Sequence, residues 1–237
     1  MVNNFFQFKK FRIDQNDQVF RVGTDGVLLG AWVQSEAPKR ILDIGTGTGL
    51  IALMCAQRFP KSEIIAIEPN ENGFACAVIN FENSIWGNRI TAQCSTIQDF
   101  SESNSGTFDL IVCNPPFFKN SLLNQDIALQ TARHETTLPL PTLLNISARL
   151  LSDSAKLALI LPVLRESDLL EAMVVAGLCL DDQLSISAFA RREPNRIITT
   201  LSKSYRQAPN RSSIYIYESQ GVYGAQFSEL VKEFYLA

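Results

Sequence analysis

Short apolar runs alternate along residues 40–203 with longer segments in which apolar residues recur at helical spacing. The runs have the length and β-branched content of buried strands, and the longer segments have the period of helices packed on a sheet. This alternation predicts an α/β fold with a mostly parallel sheet and helices on both faces. Strands are expected at 40–44, 63–68, 90–93, 108–114, 156–162, 184–190 and 197–203. Helices are expected at 49–58, 71–83, 140–151 and 166–176.

The segments on either side of this core predict small additions to it. Before the core we expect a short β element at 5–13 and a helix at 27–33, and after it a short strand at 213–217 and a helix at 228–235. A chain of 237 residues suits one sizeable α/β domain. We therefore predict a single domain, with an N-terminal extension and first helix at 1–39, a core at 40–203 and a C-terminal addition at 204–237.

Composition excludes several classes of protein. With 46% hydrophobic and 19% charged residues, the chain can bury a packed core, which excludes global disorder. No apolar run reaches the about 18 residues that a membrane span needs, and the N-terminus lacks the pattern of a signal peptide. Five cysteines without a C-x-x-C pair indicate reduced thiols and a cytoplasmic location. A single histidine, His134, cannot build a His-rich metal site, so no metal is expected.

The net charge of −3 hides two basic segments. Residues 1–12 hold three basic residues and no acid, and residues 186–211 hold six basic residues and one acid, Glu193. The basic residues are Lys9, Lys10 and Arg12 in the first segment and Arg191, Arg192, Arg196, Lys203, Arg206 and Arg211 in the second. Because phosphate contacts depend on the local potential, this pattern is compatible with RNA binding. Two solvated loops explain it as well.

A glycine-rich turn follows the first core strand directly. The turn reads Asp43-Ile44-Gly45-Thr46-Gly47-Thr48-Gly49, and Glu68 ends the next strand 19 residues later. Glycines at alternate positions let a backbone approach a ligand, and a distal carboxylate can accept hydrogen bonds from ribose hydroxyls. The spacing is shorter than the G-x-G-x-x-G signature of dinucleotide-binding proteins, which favours S-adenosylmethionine over a nicotinamide cofactor.

A second motif ends the strand expected at 108–114. The sequence Asn114-Pro115-Pro116-Phe117 stops that strand, because proline cannot continue the pairing and holds the preceding backbone extended. Asn114 is therefore expected at the carboxyl end of the sheet, where open α/β sheets bind their ligands. The Asn114 side-chain carbonyl and the Pro115 backbone carbonyl can each accept one hydrogen of a planar amine and aim its lone pair at a methyl donor. Phe117 is expected to stack on the target ring.

Together these motifs resemble the class I S-adenosylmethionine methyltransferases of the N-P-P-[FY] group, which methylate planar amines and amides. Further segments are similar to the bacterial tRNA(Val) adenine-37 N6-methyltransferases, and this similarity spans nearly the whole chain. These segments are Phe8-Lys9-Lys10-Phe11, 22–32, Ile85-Trp86, Ala132-Arg133-His134 and Pro194-x-Arg196. The resemblance implies a Rossmann-like methyltransferase fold with a seven-stranded sheet, S-adenosylmethionine as cofactor and tRNA as partner.

The resemblance also implies roles for individual residues. Asn114, Pro115, Pro116 and Phe117 would hold the target adenine, and the cofactor would contact Thr24, Asp25, Asp43, Gly45, Gly47, Gly49, Glu68 and Asn114. Thr96 departs from the family pattern, because it stands where an acidic residue is expected to bond the adenine amine of the cofactor. Asp99, three positions on, is an alternative for that contact. Arg133 is expected to face a phosphate or the cofactor side of the pocket.

Alternatives to a tRNA substrate stay open at this stage. A protein glutamine side chain or a guanine of ribosomal RNA presents a similar flat group to an Asn-Pro-Pro clamp. A binding module that kept the fold without activity is a third possibility. The basic residues Lys9, Lys10, Arg12, Arg191, Arg192 and Arg196 are the ones expected to contact RNA, and the sequence does not indicate the oligomeric state.

Overall fold

A nine-stranded sheet forms the centre of the molecule. The computed structural model describes residues 4–15, 21–104, 108–115 and 138–236. The strands are β1 (Phe5–Gln7), β2 (Arg12–Asp14), β3 (Arg40–Ile44), β4 (Glu63–Ile67), β5 (Ile90–Gln93), β6 (Phe108–Cys113), β7 (Leu151–Pro162), β8 (Cys179–Phe189), β9 (Arg196–Ser202), β10 (Asn210–Ser219) and β11 (Val222–Tyr223). The helices are α1 (Thr24–Trp32), α2 (Leu50–Arg58), α3 (Glu71–Glu82), α4 (Ile97–Ser103), α5 (Leu140–Leu150), α6 (Glu166–Val175) and α7 (Ala225–Val231).

The order of the strands confirms the predicted α/β architecture. The sheet runs β11-β10-β8-β9-β7-β6-β3-β4-β5, while β1 and β2 form a separate hairpin. Strands β3 to β7 are parallel where they pair, and β9 is antiparallel to both of its neighbours. Strands β7 and β8 therefore run in the same direction, and β10 is parallel to β8. Strand β11 is antiparallel to β10. The carboxyl ends of all strands of the sheet except β9 and β11 therefore lie at one edge, which we call the carboxyl edge.

The sheet is wider than the seven strands expected. The segment predicted as a separate short strand at 213–217 belongs to β10, which pairs in parallel with β8 from Asn210↔Asp182 to Tyr217↔Phe189. Strand β11 then adds the outermost position. Helix α4 was not predicted from the sequence, because a helix of seven residues is too short to show a clear apolar period.

Helices pack on both faces of the sheet and enclose two hydrophobic cores. One core lies under α1, α2, α3 and α7, together with the β1–β2 hairpin, and the other lies under α4, α5 and α6. Strand β6 contributes to both. Leu110 and Val112 belong to the first core and Ile111 and Cys113 to the second, because successive side chains of a strand point to opposite faces.

Three further observations bear on the classes of protein considered above. All five cysteines are free thiols. Among the described residues, no helix has the length and apolar character needed to cross a membrane. Within the same part of the chain, no group of three His, Cys, Asp or Glu side chains is placed to hold a metal ion.

Candidate active site

The glycine-rich turn lies at the carboxyl edge, between β3 and α2. Gly45 and Gly47 adopt φ angles of 69° and 54°, in the left-handed region that favours glycine. A Cβ atom added to either residue would meet nothing within 4 Å among the described residues, which leave open space at both positions. Gly49 differs, because its Cβ would lie 2.4 Å from Cε1 of Phe81. The first two glycines therefore leave room for a ligand, while the third permits close packing of α3.

Glu68 lies beside this turn, because it follows β4, the neighbour of β3. Its Oε2 accepts a hydrogen bond from the Gly47 N–H and its Oε1 accepts one from the Asn70 N–H, both at 2.9 Å. Burial raises the pKa of the Glu68 carboxyl, and the two amide bonds lower it. Each oxygen keeps a lone pair, so the carboxylate can still accept hydrogen bonds from ribose hydroxyls.

Two residues that the sequence analysis did not single out shape the surroundings of Glu68. Asn70 caps α3 by accepting a hydrogen bond from the Gly73 N–H at 3.0 Å. A Cβ atom on Gly73 would lie 2.9 Å from Cγ of Glu68, so only glycine lets the first turn of α3 approach the carboxylate this closely. The signal for Asn70 was present in the sequence, since an asparagine just before a predicted helix is a common N-cap.

Asp43 is fully buried beneath the glycine-rich turn. Its Oδ2 accepts hydrogen bonds from the Thr46 hydroxyl at 2.6 Å and from the Ala52 N–H at 3.1 Å. Its Oδ1 is buried without a partner among the described residues. Burial raises the pKa of the Asp43 carboxyl to about 7, against the lowering effect of those two bonds. A buried acceptor without a donor is costly, so Oδ1 is a position at which a donor group of a ligand would be stabilised.

The register of the sheet places Asn114 next to the glycine-rich turn. Cys113, the last residue of β6, pairs with Ile44, the last residue of β3. Asn114 and Gly45 are the next residues of these two strands, so their backbones leave the sheet about 5 Å apart, the usual spacing of paired strands. The Asn114 side chain is half-buried and forms no hydrogen bond within the described residues. Its amide is therefore free to bind a ligand at the carboxyl edge.

Pro115 is buried directly after Asn114. Three other predicted site residues, Pro116, Phe117 and Arg133, lie outside the described residues, and so does His134. Their roles stay predictions.

The start of α1 packs beside the glycine-rich turn. A Cβ atom on Gly26 would lie 3.0 Å from Leu50, the first residue of α2. This contact places the start of α1, with the exposed Thr24 and with Asp25, beside the turn. The cofactor role of these two residues stays a prediction. Asp25 Oδ2 also accepts a hydrogen bond from Arg196 Nε at 2.9 Å. Arg196, expected from sequence to contact RNA, is thus bound to the start of α1.

Thr96 caps α4 in the structure. Its hydroxyl accepts a hydrogen bond from the Asp99 N–H at 3.1 Å and donates one to Asp99 Oδ2 at 2.7 Å. The segment lies near Glu68, since the Ser95 N–H donates to the Glu68 carbonyl at 3.3 Å. Thr96 and Asp99 are therefore bonded to each other in the region where the cofactor adenine is expected. Which of them contacts it stays a prediction.

Comparisons with known proteins identify the family. The sequence model of the protein family called Methyltransferase small domain matches residues 20–136 of this chain. A tRNA1(Val) (adenine(37)-N6)-methyltransferase of Porphyromonas gingivalis strain ATCC 33277 is 40% identical over 99% of this chain and 96% of that protein. The protein of the same name from Trichodesmium erythraeum strain IMS101 is 40% identical over 100% of this chain and 99% of that protein. The chain belongs to the tRNA1(Val) (adenine(37)-N6)-methyltransferase family. The resemblance drawn from the sequence motifs is thereby confirmed.

The fold of this methyltransferase also matches solved structures. A crystal structure of a predicted O-methyltransferase from Agrobacterium tumefaciens superimposes with a TM-score of 0.70, covering 89% of this chain and 96% of that one. The sequences are 16% identical, so this likeness shows the fold alone.

The residues of the methyltransferase fit the expected cofactor. Gly45 and Gly47 leave open space, Glu68 offers oxygens to a ribose, and Asp43 Oδ1 offers a buried acceptor. These groups suit a ligand with a sugar and an amino group, both of which S-adenosylmethionine carries.

The basic segment of the methyltransferase at 186–211 divides into two groups. Arg191 and Arg192 are exposed in the turn between β8 and β9, at the carboxyl edge, and form no salt bridge within the described residues. The other group lies at the opposite edge, where β9 ends and β10 begins, and is paired with acids. These pairs are Lys203–Asp153 at 3.9 Å, Arg206–Asp182 at 4.0 Å and Arg211–Glu166 at 3.8 Å.

The N-terminal basic residues lie in or beside the turn of the β1–β2 hairpin. Lys9 bonds to the C-terminal segment through its backbone amide and its ammonium group, and Lys10 is exposed. The C-terminal segment also accepts a hydrogen bond from the Gln57 side chain, through the Glu233 carbonyl. Gln57 lies near the end of α2, and the glycine-rich turn precedes the start of that helix. Arg12 pairs with Asp14 at 2.9 Å. Contact of these three residues with RNA stays a prediction.

The buried Asp43 predicts a pH dependence of stability. The pKa of this carboxyl is about 7 in the folded protein, whereas the ordinary value for an aspartate, expected in the unfolded chain, is 3.8. The folded state therefore holds the proton more tightly, and the ligand-free protein should lose up to about 4 kcal/mol of stability between pH 4 and pH 7 from this group. Asp43→Asn keeps an acceptor for Thr46 and Ala52 and removes the titration. We expect it to raise the free energy of unfolding at pH 8 and to change it little at pH 4, as measured by urea unfolding.

Asp153→Asn is the matched control, because it removes an equal charge from an exposed position. It should leave the pH dependence as in the wild type. An Asp43→Asn variant that is destabilised equally at both pH values would contradict the raised pKa.

Proposed function

We propose that the chain transfers a methyl group from S-adenosylmethionine to N6 of adenine 37 in the anticodon loop of tRNA(Val). The observation that carries the proposal is the position of Asn114 beside the glycine-rich turn, in a chain whose relatives bear the name of this activity. A single-stranded loop suits such a site, because a base can leave its stack there at less cost than in a duplex.

Asn114 and Pro115 orient the target amine. The nitrogen lone pair of an exocyclic amine is delocalised into the ring, so the free amine is a poor nucleophile. When the Asn114 Oδ1 and the Pro115 carbonyl each accept one amine hydrogen, the lone pair points away from the ring plane. Such positioning can supply several kcal/mol of the barrier reduction. No base has to remove a proton first, because the amine loses one proton to water after its new C–N bond forms.

The residues of the glycine-rich turn bind the cofactor. S-adenosylmethionine supplies the electrophilic methyl group when bound. Glu68 holds the ribose, Gly45 and Gly47 admit the ligand close to the backbone, and Asp43 accepts a hydrogen bond from its amino group. Thr24 and Asp25 border the same turn from the start of α1.

The free thiols of all five cysteines support a cytoplasmic location.

The test offers three acceptors side by side. Purified protein is incubated with labelled S-adenosylmethionine and with tRNA, ribosomes or release factors from a strain that lacks the enzyme, and modified nucleosides are mapped by mass. We expect N6-methyladenosine at position 37 of tRNA(Val). Label that enters only ribosomes or release factors would reject tRNA as the substrate and select the guanine or the glutamine alternative.

A further inference from the structure

An open cleft lies at the carboxyl edge beside the turn between β8 and β9. Its volume is about 420 Å³, in the range of small-ligand sites. We call it the hairpin cleft, and its lining includes Ser187, Phe189, Arg191, Arg192, Pro194 and Tyr215. It joins two guanidinium groups, an aromatic ring and hydroxyl groups on one surface.

The charge of the hairpin cleft is positive. Within the described residues, neither Arg191 nor Arg192 forms a salt bridge, and no acidic side chain lines the cleft. Glu193 follows the arginines in the turn but is absent from the lining. Glu218, the other nearby acid, accepts a hydrogen bond from the Tyr215 hydroxyl at 2.6 Å. The two guanidinium groups are therefore available to an anionic partner.

The backbone at Arg191 is held in an unusual conformation. Its φ angle is 61°, in the left-handed region that glycine and asparagine adopt more readily than arginine. The turn is closed by a hydrogen bond of 3.2 Å from the Arg192 N–H to the Phe189 carbonyl. This strained turn places both arginines next to the Phe189 ring.

Phe189 is the exposed end of a row of packed rings. Its ring centroid lies 5.6 Å from that of Tyr217, its register partner, and Tyr217 lies 5.4 Å from Tyr223. The Tyr223 ring centroid in turn lies 4.8 Å from that of Phe227, a fully buried residue of α7. Phe189 itself is 39% exposed. A ring fixed in this way can accept a stacked base without losing much further freedom.

The position of the hairpin cleft relative to Asn114 suits a single substrate. Phe189 and Cys113 end two strands that run in the same direction, separated in the sheet by β9 and β7. Three strand spacings amount to about 14 Å across the sheet. The register sets Cys113 level with Gln183, so Phe189 lies six residues further along β8, about 20 Å at the usual rise per residue. The two offsets combine to roughly 24 Å, a distance that several consecutive nucleotides of an RNA can cover.

We propose that the hairpin cleft binds nucleotides that flank the methylated adenine in the RNA substrate, with a base stacked on Phe189 and phosphates held by Arg191 and Arg192. The inference rests on the proposed function, since it assigns the RNA contacts of the same site. A base offers a flat apolar face to the ring and a phosphate offers oxygens to the guanidinium groups, which is the combination that single-stranded nucleic-acid sites use.

Variants in the hairpin cleft test the proposal. The first joins Arg191→Asn, which tolerates the left-handed backbone, with Arg192→Gln, and the second is Phe189→Leu. The matched control joins Arg206→Gln with Arg211→Gln, which removes the same charge at the opposite edge. The Kd for a tRNA(Val) anticodon stem-loop is measured by fluorescence anisotropy between 50 and 200 mM salt, alongside kcat and KM for methyl transfer.

We expect the arginine pair of the cleft to raise Kd and KM about tenfold and to reduce the slope of log Kd against log salt by about 2, one for each phosphate contact. Phe189→Leu should raise Kd at least about fivefold, the lower range for loss of base stacking. The control pair should stay within twofold of the wild type. All variants should bind S-adenosylmethionine as the wild type does, which shows that their cofactor sites are folded.

Two outcomes would overturn the proposal: cleft variants that bind the stem-loop like the wild type, or cleft and control pairs that weaken binding equally. A wild-type protein that binds the stem-loop but methylates no RNA would reject the proposed function instead, and the comparison of Kd values would still decide the role of the cleft. Photocrosslinking of the unaltered protein gives a second test. A 5-iodouridine in the loop should crosslink to Phe189 or Tyr217, and crosslinks confined to other peptides would contradict the assignment.

Discussion

Asn114→Ala is expected to reduce kcat for methyl transfer to tRNA by about 100- to 1,000-fold, the range found when one preorganised polar contact to a reacting group is removed. The reason is geometric. Asn114 leaves the sheet beside Gly45, and its amide oxygen is one of only two acceptors proposed to orient the amine. Because the side chain forms no hydrogen bond within the described residues, its loss should change the free energy of unfolding by less than about 0.5 kcal/mol.

Single-turnover kinetics with saturating cofactor measure this effect without a contribution from product release. Asn145→Ala is the control, since it removes an exposed side-chain amide of α5 whose one hydrogen bond within the described residues is to the Pro141 carbonyl. That variant should retain the kcat of the wild type. Methyl incorporation that survives Asn114→Ala unchanged would remove the proposed mechanism, whatever the substrate.

The sequence predicted the parts of the site that depend on local signals. The glycine-rich turn, Glu68 and Asn114 each directly follow an apolar strand, and the end of a buried strand is visible in the sequence. Their mutual contacts depend on strand order and register, which no local pattern contains. The pairing of Ile44 with Cys113, and hence the closeness of Asn114 to Gly45, became known only from the sheet.

The charged residues show the same limit. The segment at 186–211 holds six basic residues and one acid in sequence, but its ion pairs join residues far apart in the chain, as in Arg196 with Asp25 or Arg211 with Glu166. Within this segment the chain crosses the sheet along β9. Arg191, Arg192 and Arg196 therefore lie at the carboxyl edge, and the other three cations lie at the opposite edge. Only the fold therefore distinguishes Arg191 and Arg192 as cations that lie beside a cleft and form no salt bridge in the described part of the chain.

The width of the sheet could not be predicted for a related reason. The alternating apolar and polar residues of β10 indicate a strand, but a strand pattern does not name its partner. Because β10 pairs with β8, the Tyr217 ring packs against the Phe189 ring, and the row of rings forms. A segment expected to be an addition to the core thus contributes to the edge on which the site lies.

Gly47→Ala is expected to weaken S-adenosylmethionine binding by about 5- to 150-fold, because an added methyl group would occupy the space in which the cofactor lies, and overpacking costs about 1–3 kcal/mol. The fold should tolerate the change. In the part of the chain that the structure describes, no atom lies within 4 Å of the new Cβ, and the Gly47 N–H can still donate to Glu68. The remaining cost is backbone strain at a φ of 54°, about 1 kcal/mol.

Gly177→Ala isolates that strain from the loss of space. Gly177 has a φ of 66° and equally open surroundings, but it lies in the turn between α6 and β8, away from the glycine-rich turn. Urea unfolding should show a similar loss of about 1 kcal/mol in both variants, whereas calorimetric titration should show weakened cofactor binding only for Gly47→Ala. Equal cofactor Kd values in the two variants would mean that the ligand does not approach Gly47. The open space above the turn would then need another occupant, and the position of Asn114 beside it would no longer support methyl transfer.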